Sequence, residues 1–385
     1  MSKFAKQEAI LMSVSYILPY LPVTTYRIEY LFTAYGKASR SLARLDGMLS
    51  EKSYANVLLS PMMTQEAVLS SRIEGTRSTI DEVYSLEAGE EFTEAQKLDV
   101  QEILNYREAM RFATHSLSER GLTLGLIKDM HAILLQSVRG QNKRPGVVRD
   151  TQNWIGAPGS SIEQATYVPP PPTTVESYLE NWIENATSNE VDPLLQSGIL
   201  HAQFELIHPF HDGNGRVGRL LIPLYLHSKG LLERPVFYLS EYFETHREEY
   251  IDSLNALHQD PTAWEPWLLF FLQAVDEQAR ENMRRAAAMQ RLYKELQTEI
   301  PNITKSASCG LLLDAIFETP IFSKPKISAC INEVNTATVQ RMINSLVDAG
   351  ILHIRTNGAG RRASTYQLQE LSRIAQGLPI ERFDY

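Results

Sequence analysis

Cysteine is nearly absent: Cys309 and Cys330 alone occur in 385 residues. Two thiols, both late in the chain, are too few for a disulfide scaffold or a four-ligand zinc site, so a reducing, cytoplasmic setting is expected. Long apolar runs are missing as well. No stretch approaches the roughly 18 apolar residues of a membrane span, and the apolar run near the N-terminus is preceded by Glu8 and broken by Pro19 and Pro22, which argues against a cleaved export signal. Basic residues are in deficit, 37 Lys and Arg against 46 Asp and Glu for a net charge of −9. That excludes a chain whose main business is coating nucleic acid. The phosphate-cradling pattern G-x-x-x-x-G-K-[ST] does not occur either, which excludes a P-loop enzyme. What remains is an ordinary globular composition, 43% hydrophobic and 22% charged, ample for buried cores in two or three domains.

The pattern along the chain is mainly helical. Ser60-Pro61 reads as an N-cap followed by proline at the first helical position, and Gly75 closes the segment it opens. Leu98 to Phe112 forms another amphipathic helix. Residues 144–172 change texture, with Gly, Pro and short β-branched runs that predict a hairpin, and four prolines at 169–172 lead to a helix capped by Thr173 or Thr174. Leu195 to Ile207 and Arg216 to Ser228 are helical, the second with Val217, Leu220, Leu221, Leu224 and Tyr225 on one apolar face. A long helical connector follows from Trp264. The segment 305–385 then reads helix, short helix, helix, strand, loop, strand, the order of a winged helix-turn-helix. It carries nine Lys or Arg against seven Asp or Glu, a net of +2 in an otherwise acidic chain. Arg355, Arg361 and Arg362 fall on the wing, where they allow phosphate contact but read no sequence. Weak DNA contact and a protein-contact or dimer role are both open for this part.

The chemistry concentrates in HPFHDGNGRVGR, residues 208–219. Gly213 and Gly215 flank Asn214 just before a helix, where glycine lets successive N–H groups form an anion nest at the helix N-terminus. Arg216 and Arg219 lie on one face of the first turn, where exposed cations oppose the helix dipole at a cost of roughly 0.3–1 kcal/mol each. An anion among them reverses that cost. With Asp212 beside it, the pocket suits a polyphosphate carrying Mg²⁺, because magnesium prefers one or two carboxylates plus phosphate oxygens. His208, ending the preceding helix, is placed to take a proton from an incoming hydroxyl. A rival assignment makes His201 or His208, with His211 and Asp212, the metal ligands of an HD-type phosphohydrolase. It leaves Asn214, Gly215, Arg216 and Arg219 without a role.

At these residues the sequence resembles the Fic proteins, whose signature HPFx[DE]GNGRxxR is matched at His208, Pro209, Phe210, Asp212, Gly213, Asn214, Gly215, Arg216 and Arg219. The resemblance covers roughly residues 30 to 275. It implies a Fic-type helical core in which His208 is the general base, Asp212 holds Mg²⁺, and the stretch from Gly213 to Arg219, Val217 and Gly218 included, holds ATP, with Arg219 at the γ-phosphate. It also implies that Tyr250 lines the adenine pocket. Asn153, Trp154, Ile155 and Gly156 match the family's target-binding flap, the alternative being a plain surface hairpin with Trp154 and Ile155 packed inward. Ser70 and Glu74, one helical turn apart, match the inhibitory pattern [ST]xxxE[GN], in which the glutamate takes the second arginine of the signature, here Arg219. Glu74 otherwise reads as a surface carboxylate neutralised by Arg72 or Arg77.

The expected organisation is therefore mainly α: an N-terminal helical region with its inhibitory helix over 1–110, a Fic core with a small β-hairpin flap over 111–275, a connector over 276–304 and a winged helix over 305–385. The expected reaction moves AMP from ATP onto a Tyr, Ser or Thr hydroxyl of a target protein or of the chain itself. The alternatives are AMP removal, transfer of another group, or a transcriptional regulator that senses nucleotide through the same core.

Overall fold

A computed structural model describes residues 18–383, apart from 24, 51–54, 139–142, 158, 261–262 and 361. Most of the N-terminal apolar run and the wing residue Arg361 thus lie outside the described residues. The helices in chain order are α1 (Ile28–Leu49), α2 (Ala55–Ile73), α3 (Ile80–Ala88), α4 (Glu94–Arg120), α5 (Leu124–Leu134), α6 (Pro172–Thr187), α7 (Pro193–Ile207) and α8 (Asn214–Ser228). There follow α9 (Ser240–Thr245), α10 (Arg247–Gln259), α11 (Trp264–Thr304) and α12 (Cys309–Glu318). Strand β1 (Ile321–Ser323), α13 (Lys324–Cys330), α14 (Thr336–Asp348), strands β2 (His353–Thr356) and β3 (Thr365–Gln367), and α15 (Gln369–Ala375) complete the chain. No described helix is long and apolar enough to cross a membrane.

The chain forms two units, each assembled from two separated stretches: residues 1–44 with 105–279, and 45–104 with 280–385. The first unit is built around the α7–α8 hairpin. Asp192 caps α7 through its carboxylate, which accepts from the N–H groups of Leu194 and Leu195, and Pro193 sits where the missing N–H costs nothing. Val217, Leu220, Leu221, Leu224 and Tyr225 are buried as the period predicts, but so are Gly218, Arg219, Ile222 and Leu226. The helix is enclosed on all sides, which a one-sided apolar stripe does not anticipate. Glycine permits this closeness. A Cβ on Gly218 would run into the Glu205 carboxylate of α7, and one on Gly198 would meet the Phe271 ring at 2.8 Å. The Trp267 indole N–H seals the same place by donating to the Gly198 carbonyl at 3.0 Å.

Residues 144–172 turn back on themselves, but the arms pair at a single bridge, Ile155 with Tyr167, and build no ladder. A 3₁₀ turn at Ile162–Gln164 and the prolines that follow remove the donors a ladder needs. Pro172, not a threonine, opens α6, and the Thr174 hydroxyl bonds back to the Pro171 carbonyl.

In the second unit α2 packs on α12, α3 on β1, and α15 on α2. The helix that was expected to begin at Ser60 starts at Ala55 and carries Pro61 inside it. Ser60 does not cap it, because its hydroxyl donates to the Glu318 carbonyl at 3.0 Å. The C-terminal elements appear in the expected order, with β1 added, in an antiparallel sheet ordered β1-β3-β2. Phe322 and Ile354 both face Tyr366 across it. The wing is not a free basic edge: Arg355 pairs with Asp81 at 3.5 Å and Glu90 at 3.6 Å, and Arg362 pairs with Glu91. The described wing charge is thus balanced inside its own unit, and a phosphate would first have to displace these carboxylates.

Candidate active site

The signature loop joins α7 to α8. His208 ends α7 in the left-handed conformation, with φ 48° and ψ 60° and its N–H on the Phe204 carbonyl. Its Nδ1 lies 3.3 Å from the Glu205 carbonyl, a contact that puts the ring proton on Nδ1 and the lone pair on Nε2. Phe210 is completely buried and anchors the loop. Asn214 closes it with both amide atoms, accepting from the Phe210 N–H and donating to the Phe210 carbonyl, each at 2.8 Å. The Asn214 side chain therefore shapes the loop, and its backbone N–H is what it can offer an anion.

Gly213 has φ 76° and stands at the N-cap of α8, which no side chain caps. The positive end of the helix dipole opens here. Arg216 and Arg219 sit on the first turn and are buried, with the Arg216 Nη2 at 3.7 Å from the Asp212 carboxylate. Asp212 accepts from the Gly213 N–H at 2.6 Å while its side chain stays 43% exposed. One half-exposed carboxylate at an anion nest is the donor set that suits Mg²⁺ shared with a polyphosphate. Val217 and Gly218, by contrast, face the core, and their part in the site is to let α8 lie against α7.

His131 of α5 supports the loop from behind. Its Nδ1 accepts from the Gly146 N–H at 2.8 Å, so its Nε2–H donates to the Asp212 carbonyl at 2.9 Å, and its ring stacks on Phe210 at 3.8 Å. Burial, with the nearby Arg216 and His211 charges, holds its pKa down to about 4. His201 does not join His208 and His211 as a metal ligand. It lies inside an aromatic cluster, stacked on Phe243 and hydrogen-bonded to the Tyr250 hydroxyl at 2.9 Å. Among the described residues no three His, Cys, Asp or Glu side chains gather for a metal ion. Tyr250 is itself buried and stacked on Phe243 at 4.4 Å, so the described structure holds it as a core aromatic tied to His201.

Burial and then the Arg219 charge hold His201 down to about 3. Its stability effect has a definite sign. The unfolded histidine takes up a proton below about pH 6.5 while the folded one stays neutral, so stability is full above that pH and is lost as pH falls toward the folded value. We expect the melting temperature of the parent to drop between pH 6.5 and pH 4 by the equivalent of a few kcal/mol, since each pKa unit corresponds to about 1.4 kcal/mol. His201→Gln should flatten that slope, and parallel curves for parent and variant would refute the assignment.

Around the loop the flap exposes its side chains. Trp154 is 42% and Ile155 40% exposed, so the inward-packed alternative does not hold. Asn153 donates to the Phe210 carbonyl at 3.0 Å and fastens the flap to the signature loop. Gly156 is needed for close approach, since a Cβ there would meet the Ser160 hydroxyl at 2.7 Å. In the second unit Ser70 is buried on α2, and Glu74 is exposed in the turn that follows, ahead of Gly75 at φ 99°.

The Fic/DOC family profile matches residues 121–226, which hold the flap, the loop and α8, and the Fic/DOC family N-terminal profile matches residues 32–115. The chain belongs to the Fic/DOC family. The likeness of this Fic chain to named relatives is regional. It is 40% identical over 94 residues to a probable protein adenylyltransferase of Aquifex aeolicus, covering 24% of this chain and 26% of the relative. It is 29% identical over 163 residues to the protein adenylyltransferase Fic of Drosophila grimshawi, covering 41% and 32%. The chain thus spans about a quarter to a third of the length of these relatives. A crystal structure of a Fic family protein from Desulfovibrio desulfuricans superposes with a TM-score of 0.54 at 19% identity, covering 91% of this chain and 98% of that one. Fic-1 of Caenorhabditis elegans gives 0.51 at 22% identity, covering 70% and 74%. At such identity these likenesses establish the Fic fold.

Two residues at the Fic loop have no signal in the sequence pattern. His131 and Arg149 touch it from 81 and 59 residues away, and neither stands in a motif.

Proposed function

We propose that the protein transfers AMP from ATP to a Tyr, Ser or Thr hydroxyl of a protein, itself included. The observation that carries the reading is the uncapped N-terminus of α8, where Gly213 opens a backbone nest and two buried arginines occupy the first turn beside a lone carboxylate. That set selects for a polyphosphate. The hydroxyl oxygen attacks the α-phosphorus and its proton passes to Nε2 of His208. The bond from the α-phosphorus to the oxygen bridging to the β-phosphate breaks, and pyrophosphate leaves. The nest and Arg216 hold the phosphates in line, Arg219 takes the γ-phosphate, and Trp154 and Ile155 offer the target chain an exposed edge. Mg²⁺ on Asp212 would neutralise phosphate charge. The curated relatives named as protein adenylyltransferases support the reaction class, and the pattern at Ser70 and Glu74 supports an enzyme held off at rest.

Mass spectrometry after incubation with ATP and Mg²⁺ tests the reading: the protein or a co-incubated target gains one AMP. Absence of any nucleotide adduct, with the Glu74→Gly variant included, would sink it. Asp212→Ala should weaken nucleotide binding in the presence of Mg²⁺ and leave binding in its absence nearly unchanged, as titration calorimetry can measure. An equal Mg²⁺ response in parent and variant would remove Asp212 from the metal site.

A further inference from the structure

We infer that Arg149 is a positioning residue of the transfer site, a buried guanidinium that holds the backbone of His208 and the base of the flap in one fixed relation. Its catalytic consequence rests on the transfer reaction proposed above; its location rests on geometry alone. Arg149 is 2% exposed, yet among the described residues its hydrogen-bond partners are backbone oxygens and not carboxylates. Its Nε donates to the His208 carbonyl at 2.9 Å, and its Nη2 to the carbonyls of Pro170 at 2.6 Å and Ile207 at 3.3 Å. Its backbone N–H donates to the Pro209 carbonyl at 2.9 Å. One residue thus takes three successive carbonyls, 207 to 209, and joins them to the far end of the flap at Pro170.

The physical reason for a cation here is the end of α7. The last carbonyls of a helix lack intrahelical partners and carry the negative end of the dipole, so a guanidinium meets both needs. Burial lowers the Arg149 pKa to about 10, which leaves it charged at neutral pH. The reason for holding His208 is its backbone. A non-glycine residue at φ 48° is disfavoured, and the proline that follows restricts it further toward extended conformations. Such a conformation persists only where its surroundings over-determine it, and the Arg149 bonds to the carbonyls on both sides of His208 do so. The strap continues past Arg149, with Gln152 donating to the Pro169 carbonyl at 2.9 Å and Asn153 to that of Phe210 at 3.0 Å. Lysine cannot replace the arrangement, because one ammonium lacks the planar fork that reaches separate carbonyls from two nitrogens.

The test uses the full chain carrying Glu74→Gly. Adding Arg149→Lys should lower kcat for AMP transfer by about 100-fold, the order expected of a displacement of about 1 Å at a reacting centre. The Kd for ATP should stay within about twofold, since Arg149 touches no phosphate-binding group. Hydrogen exchange should quicken together in residues 204–213 and 150–168. Arg149→Met repeats the measurement should the lysine variant fail to fold. Transfer within about threefold of the Glu74→Gly parent in a folded variant overturns the inference, and so does a loss of ATP affinity in step with rate. If the Glu74→Gly parent makes no adduct, the transfer reading fails by itself and exchange decides: joint quickening of the two segments upholds the Arg149 tether, and unchanged exchange overturns it.

Discussion

Alanine at position 208 should lower AMP transfer by on the order of 10²–10⁴-fold, the usual contribution of a general base, while ATP binds nearly as before. The separation of the two effects follows from the loop. The phosphates belong to the nest and to Arg216 and Arg219 on α8, whereas the His208 ring is held on the α7 side by its contact with the Glu205 carbonyl. Removing the imidazole takes away the acceptor for the hydroxyl proton and no phosphate contact. Single-turnover rates and ATP titration on the same preparation decide it, and near-parental turnover in the variant would strip His208 of the role.

Glycine in place of Glu74 should raise transfer, self-modification included, by about 10–100-fold. That is the range released when a charge-assisted hydrogen bond of about 1.5–3 kcal/mol no longer competes for the arginine at the γ-phosphate. The reasoning starts from the end of α2. Helical residues stop at Ile73, and Glu74 follows where the dipole disfavours a carboxylate, so it is served by a cation. We propose Arg219 as that cation. The gain should therefore need Arg219, and Glu74→Gly with Arg219→Ala should lose most of it. Because Glu74 lies in the turn and not inside the helix, glycine there costs less than the roughly 1 kcal/mol of a helix interior. Glu74→Ala controls for what remains. Unchanged transfer in both single variants, with melting temperatures preserved, would leave Glu74 a surface carboxylate.

The candidate site was legible in the sequence where its chemistry is local. Gly213 at positive φ, the arginines on one helical turn and Asp212 beside the nest follow from spacing and backbone freedom within twelve consecutive residues. Where distant chain segments meet, legibility stopped. Tyr250 was expected at a nucleotide base and lies stacked in a core with its hydroxyl on His201. Ser60 looked like a cap and serves a carbonyl 258 residues away. Arg355 and Arg362 looked like a phosphate-contacting wing and are paired with the acidic stretch around α3. In each case a partner remote in sequence took the polar group before its local role could be realised.

By itself the sequence determined the helical character, the glycine-opened turn between α7 and α8, and the order of the C-terminal elements. These depend on period, on glycine and proline backbone limits, and on neighbours a few residues apart. Tertiary structure alone decided that residues 45–104 assemble with 280–385, and that His131 and Arg149 brace the signature loop. Those outcomes turn on which buried donors reach which carbonyls once the helices have packed. A buried polar group must find a partner wherever the fold puts one, and spacing along the chain carries no record of that place.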